Sequence, residues 1–412
     1  MKSFFSSEDV KSVNMQDGKI ASCASCGLYK YVLSPRMQPF GKFKKGILNL
    51  GEAPGEHEDK KGRQWQGKAG QRLQKAYRKL GIDLFEDCLN FNAVNCRPVD
   101  GKGNNRSPTN NEILCCRQRV LKVIEEYKPK VIVLFGQAAL ESVIGWRWTK
   151  QLGNISKWRG FTIPDQHFKA WLCPTFHPSY VERQQDSPEL ETIWMKDLKR
   201  AIKKIDEPKW PTKPDEEKSV HFIDIEDLEN INFGDTIAID YETTGLKPYL
   251  KGHKIVCASV ASGEYSVSVF MVPEDSNRWE PLRKLLASKK IGKIAHNMKF
   301  EEMWSRGYLK QPVSNWVWDS MLAAHVIDNR SDITGLKFQT YIHFGEVGYD
   351  DQVSKYLQSH DPKNSNAFNK VESLIKTESG RNLLMKYCAL DSLFTFRLAQ
   401  LQMKILGKEK EQ

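Results

Sequence analysis

Two kinds of residue in this sequence are spaced for chemistry. The first is cysteine. Cys23 and Cys26 are separated by two residues, and Cys96 and the pair Cys115–Cys116 follow at a distance. Two close thiolates with two distant ones can form a tetrahedral four-cysteine site for zinc or an iron–sulfur cluster, and spacing does not choose between the two. Cys115 and Cys116 are both able to complete the set. Cys88 and Cys173 stand in apolar runs and read as buried small hydrophobes. The second kind is carboxylate. Asp240 and Glu242, in IDYETTGL, are two residues apart. On a strand their side chains leave from one face and can share metal ions. Tyr387 and Asp391, in YCALD, are four apart and share a face of a helix. A third group, AHNMKFE, ends at Glu301.

Loops add further candidates. After the apolar run GILNL come GEAPGEHED and then GRQWQGKAG, with Glu52, Glu58 and Trp65 among them. A Gly- and Pro-rich turn at a strand end brings backbone amides close to a ligand. Four carboxylates within nine residues are otherwise an ordinary solvated loop. TFHPS places His177 on a rigid His-Pro step behind another strand-like run.

The elements that must position these residues divide at 206–219 (DEPKWPTKPDEEKS), where prolines and charges replace apolar periodicity. Residues 1–205 are expected to form one domain, 206–219 a linker and 220–412 a second domain. The first half alternates strands (46–50, 89–94, 130–135, 168–174) with helices (71–80, 112–127, 194–205). That order predicts an α/β sandwich on a parallel sheet with functional loops at the carboxyl ends of its strands. The second half begins with a three-strand meander (236–241, 254–261, 264–272). Helices follow around 280–287, 299–307, 319–327 and 383–402, a mixed α/β pattern.

Composition agrees with a soluble chain of 412 residues, 40% of them hydrophobic. No apolar run approaches the ~18–20 residues of a membrane span. MKSFFSSEDV lacks a signal-peptide core, so a cytoplasmic protein is expected. The net charge of +11 is uneven: residues 1–205 carry 35 Lys and Arg against 21 Asp and Glu, whereas 206–412 carry 27 against 30. A basic half points to a polyanionic partner, most often nucleic acid.

Over residues 20–205 the chain resembles the family 4 uracil-DNA glycosylases. GEAPGxxED, GRxxxGxAG, NxxxCRP at 92–98, PTxxEIxxC at 108–116 and HPS at 177–179 occur in that family's order. The resemblance implies a structural [4Fe–4S] cluster held by Cys23, Cys26, Cys96 and Cys116. It implies that Asn92 reads the pyrimidine edge and that Trp65 stands where the family places a stacking Phe. Glu58 lies with them beside the base. His177 would donate to the uracil O2. An acid that other glycosylases carry in the first loop is Ala53 here. Glu52 and Glu58 are the nearby carboxylates, and Glu52 is favoured because the tight turn holds it close.

Over residues 220–405 the chain resembles the DEDDy 3′–5′ exonucleases, specifically the proofreading domain of bacterial-type DNA polymerase I, a ribonuclease H-like fold. WDSML at 318–322 and GLK at 335–337 extend the match. The resemblance implies two Mg²⁺ or Mn²⁺ ions held by Asp240, Glu242, Glu301 and Asp391, with Tyr387 orienting the attacking water. Glu301 replaces the family's Asp. The pairing resembles the first part of certain phage DNA polymerases, without their polymerase domain. Uracil removal and 3′ trimming of DNA, beside a separate polymerase chain, is the expected activity. An exonuclease whose first half only binds DNA or docks a polymerase is the alternative, and a non-catalytic replication scaffold is the third reading.

Overall fold

The computed structural model describes residues 22–407 except 185–186, 208–209, 212, 360, 362 and 365, together with the backbone at 15–16 and 19–20. The amino-terminal stretch 1–10, read above for a targeting signal, lies outside the described residues. The chain forms two compact units, Met1–Pro211 with Tyr341–Val347, and Thr212–Thr340 with Gly348–Gln412. The division falls within 206–219. The short segment Tyr341–Val347 is one that a linear reading leaves in the second half.

The first unit has a five-stranded sheet: β1 (Ile47–Gly51), β2 (Cys88–Asn92), β3 (Val131–Phe135), β4 (Ile163–Asp165) and β5 (Ala170–Thr175), in the order β2-β1-β3-β5-β4. All neighbours are parallel except β4, which runs antiparallel to β5. β1 and β3 are buried along their whole length, as strands covered on both faces must be. The register sets Gly51 beside Asn92 and Phe135 beside Thr175, so the strands' carboxyl ends are level. Around the sheet stand α1 (Cys23–Cys26), α2 (Glu56–Lys61), α3 (Lys68–Lys79), α4 (Asn110–Tyr127), α5 (Gly136–Arg147), α6 (Pro178–Arg183) and α7 (Pro188–Lys203). Thr109 and Glu112 form a reciprocal capping box that starts α4. Leu73, Tyr77, Val131, Phe135, Trp194 and Leu198 are part of one apolar core.

The second unit has six strands: β6 (Val220–Phe222), β7 (Thr236–Thr243), β8 (Ile255–Gly263), β9 (Ser266–Met271), β10 (Gly292–Ala295) and β11 (Trp316–Asp319), in the order β11-β10-β7-β8-β9-β6. The β7-β8-β9 meander is antiparallel, and β10 and β11 add in parallel beyond β7. β10 reads poorly as a strand because Lys293 interrupts it. That lysine is fully buried, and its ammonium donates to the Ser288 carbonyl. Helices α8 (Glu280–Ala287), α9 (Met298–Gly307), α10 (Ser320–Ile327), α11 (Leu336–Phe344) and α12 (Glu378–Ile405) follow, of which α11 starts in this unit and ends in the segment Tyr341–Val347. α12 lies across β7, β8 and β9. Every residue from Tyr387 to Ala399 is buried. Ser259 Oγ lies 2.8 Å from both the Cys388 carbonyl and Ser392 Oγ, which fixes the helix on β8. No described helix is long and apolar enough to cross a membrane.

One buried ion pair secures the end of β5. Asp197 on α7 accepts from Arg159 Nε and Nη2 at 2.9 and 2.8 Å and from Thr175 Oγ1 at 3.1 Å. Asp197→Ala removes the buried carboxylate that two guanidinium nitrogens and the Thr175 hydroxyl bond to and is expected to cost about 3 kcal/mol, seen as a lower urea midpoint by tryptophan fluorescence.

Candidate active sites

The first unit's strand ends enclose a cleft of about 500 Å³ lined by Glu52, Glu58, Trp65, Asn92 and His177, and also by Ser107 and Arg183. Its floor needs glycine. A Cβ on Gly51 would lie 2.4 Å from Asn92 Oδ1 and 3.1 Å from two carbons of the Trp65 indole. Trp65 has a left-handed backbone (φ 62°), and its ring stacks on His177 at 5.6 Å and meets Phe135 edge-on at 5.5 Å. The Trp65 Nε1 and Asn92 Nδ2 donors are buried without a hydrogen-bond partner among the described residues.

His177 caps α6. Its Nδ1 accepts the Ser179 backbone N–H at 3.2 Å and lies 2.8 Å from Ser179 Oγ. A neutral ring held this way carries its proton on Nε2. Burial, aided by the charge of Arg183, pushes its pKa down to about 4. Burial raises the Glu52 pKa, opposed by a hydrogen bond from Ser107 and by Arg183. Neither Ser107 nor Arg183 was among the sequence candidates. Arg183 follows Ser179 by one helical turn, which is the signal a periodicity reading could have used. Glu58 is committed differently from expectation. Its Oε1 accepts the Gln66 and Gly67 N–H groups at 2.8 Å each and its Oε2 accepts that of Gly55 at 3.2 Å, so it ties two loops together.

The four cysteines expected to form a set converge. α1 carries Cys23 and Cys26 against α4, which carries Cys116, and Cys116 feels the charges of Cys26, Cys96 and Cys23. Backbone N–H groups point at three of the sulfurs: Arg36 at Cys96 (3.3 Å), Leu28 at Cys26 and Asn95 at Cys116. Burial raises the Cys26 and Cys116 pKa values to about 11 and 12. Cys115 is turned to Ser25 Oγ (3.5 Å) and Asn111 Oδ1 (3.8 Å). Thiolates around one zinc stand about 3.8 Å apart, given a Zn–S bond of about 2.3 Å. Among the described residues no three of these sulfurs lie within 4.8 Å of one another, which fits one zinc ion poorly.

In the second unit β7 presents Asp240 and Glu242, and α12 presents Tyr387, Cys388 and Asp391 beside them. Ligand atoms of Asp240, Glu242 and Cys388 lie within 4.8 Å of one another. Cys388 Sγ sits 3.6 Å from both the carbonyl and Oδ2 of Asp240. Burial and then the nearby Asp391 charge lift the Asp240 pKa to about 7, and burial lifts those of Glu242 and Glu301 well above the carboxylate range. Glu301, on α9, faces the charge of Asp240, and its buried Oε2 has no hydrogen-bond partner among the described residues. Crowded buried carboxylates of this kind are a fit donor set for hard divalent cations. Asp319 sets the geometry. Its Oδ1 accepts N–H groups of Asn297, Met321 and Leu322 (3.1, 2.9 and 3.2 Å) and its Oδ2 that of Met298 (3.0 Å). It caps α10 and holds the left-handed turn at Asn297 (φ 72°) that starts α9. Lys337 and Tyr349 also enter the site: the Lys337 ammonium pairs with Asp391 Oδ1, and the Tyr349 hydroxyl donates to the same oxygen at 2.8 Å.

A polar cleft at the strand ends of one unit and a metal-ready carboxylate cluster in the other are two separate candidate sites, and the family matches of the two units make the chain a hydrolytic, DNA-processing enzyme. Residues 38–199 match the uracil DNA glycosylase superfamily, and residues 216–406 match a 3′–5′ exonuclease family. The type-4 uracil-DNA glycosylase of Thermotoga maritima is 36% identical over 186 residues, covering 44% of this chain and 89% of that protein. That of Pyrobaculum aerophilum is 34% identical over 182 residues, covering 43% and 87%. The chain belongs to the type-4 uracil-DNA glycosylase family and adds a 3′–5′ exonuclease domain. A DNA polymerase of Bacillus phage SP01 is 25% identical over 414 residues; the match takes in 91% of this chain and 42% of the length of that polymerase.

The depressed His177 pKa makes a stability prediction. The unfolded chain binds this proton near pH 6.5 and the folded chain only near pH 4. The His177 contribution is therefore complete above about pH 6.5 and is lost as pH falls toward 4. His177→Asn is expected to lessen the acid loss of stability by about 1–3 kcal/mol between urea titrations at pH 7 and pH 4.5.

Proposed function

We propose that the first unit excises uracil from DNA and that the second removes nucleotides from DNA 3′ ends. One observation supports both halves: each site buries a polar atom without a hydrogen-bond partner among the described residues, Asn92 Nδ2 in the cleft and Glu301 Oε2 in the acidic cluster. A buried orphan of this kind is costly unless a ligand satisfies it.

For excision the base leaves the helix and enters the cleft. Asn92 reads its Watson–Crick edge. His177, neutral at working pH, donates from Nε2 to the pyrimidine O2 as negative charge builds on the leaving base. Glu52 positions water and stabilises the positive sugar. Cys23, Cys26, Cys96 and Cys116 would hold a [4Fe–4S] cluster, a wider framework than one zinc, which staples α1 to α4.

For 3′ hydrolysis, Asp240, Glu242, Glu301 and Asp391 would hold two Mg²⁺ or Mn²⁺ ions, which supply charge neutralisation at the phosphate. Tyr387 orients the attacking water. The match to a phage polymerase along most of the chain supports work beside DNA replication.

Trp65 favours a second reading, in which the first unit grips DNA and excises weakly. Its ring already covers His177, and Ala53 supplies no acid. A two-substrate assay separates the readings. Uracil release from a labelled oligonucleotide is expected to persist in EDTA and to fall about 100-fold in both Glu52→Gln and His177→Ala. Shortening of a 3′-labelled single strand is expected to need Mg²⁺ or Mn²⁺, to vanish in Asp240→Ala and to drop about 100-fold in Tyr387→Phe. Absence of uracil release from the unaltered protein establishes the second reading. Absence of 3′ shortening that Glu301→Asp restores shows that the longer acid disables the site.

A further inference from the structure

We infer that Lys337 is a resident cation of the acidic site, which holds Asp391 and Tyr387 in place and competes with a divalent ion for the Asp391 carboxylate. The inference rests on the reading of the second unit as a metal-dependent nuclease.

Three residues converge on the ammonium. It pairs with Asp391 Oδ1. It donates to the Tyr349 hydroxyl at 3.0 Å, and that hydroxyl donates in turn to the same Asp391 oxygen at 2.8 Å. It also lies over the rings of Tyr349 and Tyr387, 4.3 Å from each centroid, a distance at which a cation is attracted to the aromatic face. The Lys337 and Asp391 side chains are 17% and 9% exposed, so water screens the pair little. Lys337 thus touches both α12 residues assigned to the reaction, one through charge and one through the ring.

The cluster explains why a cation belongs there. Asp240, Glu242 and Asp391 crowd one another in low dielectric, and like charges so placed repel. The ammonium pairs with Asp391, and its charge also acts on Asp240 and Glu242. A divalent ion offers the same carboxylates more charge and must share or displace the lysine at Asp391. Metal affinity in the absence of DNA is therefore lower than the acids alone would give. Loading then follows the substrate, whose phosphate oxygens complete the coordination of an ion such as Mg²⁺.

The test is calorimetric titration of Mn²⁺ into the full chain without DNA, with melting temperatures in EDTA and in Mn²⁺. Lys337→Gln and Lys337→Met are expected to bind Mn²⁺ about tenfold more tightly than the unaltered protein. Both are expected to melt lower in EDTA and to recover most of that loss in Mn²⁺. Lys337→Arg keeps the charge and should behave like the unaltered protein. Unchanged Mn²⁺ affinity in the neutral variants, or an equal melting loss with and without Mn²⁺, overturns the inference and leaves the metal site standing. Failure of the unaltered protein and of both neutral variants to take up Mn²⁺ overturns the metal-site reading itself.

Discussion

Ionisable and polar groups buried beyond the reach of water constrain both units. An unpaired charge in low dielectric either shifts its proton equilibrium or acquires a partner. In the second unit Asp240, Glu242 and Glu301 are held with raised pKa values, and of these acids only Asp391 has a full cationic partner among the described residues. In the first unit the thiols converge under burial, and His177 is kept neutral. These groups are stable where they are only because surrounding packing over-determines their positions.

That packing comes from elements whose own needs are met locally. Asp319 satisfies four amides and so starts two helices, one of which aims Glu301. Glu58 does the same for the two loops that border the cleft. Gly51 supplies the absence of a side chain, and its neighbours Asn92 and Trp65 occupy the vacated volume. Acidic residues that look alike in the sequence therefore separate into two kinds. Some are saturated by backbone donors and act as fasteners. Others lack donors and are left for a ligand.

Legibility in the sequence followed the range of the interaction involved. β1 and β3 are continuous apolar runs, and α4 starts with Thr109-x-x-Glu112, so both were evident from local pattern. Asp240 with Glu242, and Tyr387 with Asp391, were placed by strand and helix periods alone. β10 was not evident, because burying Lys293 depends on a carbonyl supplied by the preceding turn. Tyr349 has no motif, and its role exists only through its oxygen contact with Asp391, 42 residues away. The saturation of Glu58 was hidden for the same reason: composition shows a carboxylate but not the amides a folded loop points at it. Trp65 stands where the resemblance puts a base-stacking residue and lines the cleft, whereas its stacking on His177 is a tertiary fact.

The unbroken burial of α12 from Tyr387 to Ala399 has a consequence for how this gene can change. A helix with a solvent face tolerates a shift of register, since polar residues can rotate outward. Here no outward direction exists over those three turns and more. Substitutions of similar volume can accumulate, but adding or losing one codon turns everything beyond it by about 100°. Such a change within 387–391 would carry Asp391 off the face it shares with Tyr387, and would set charged or hydroxyl groups against the sheet. Length variation is therefore confined to the loops, and this helix is inherited as a unit of fixed length.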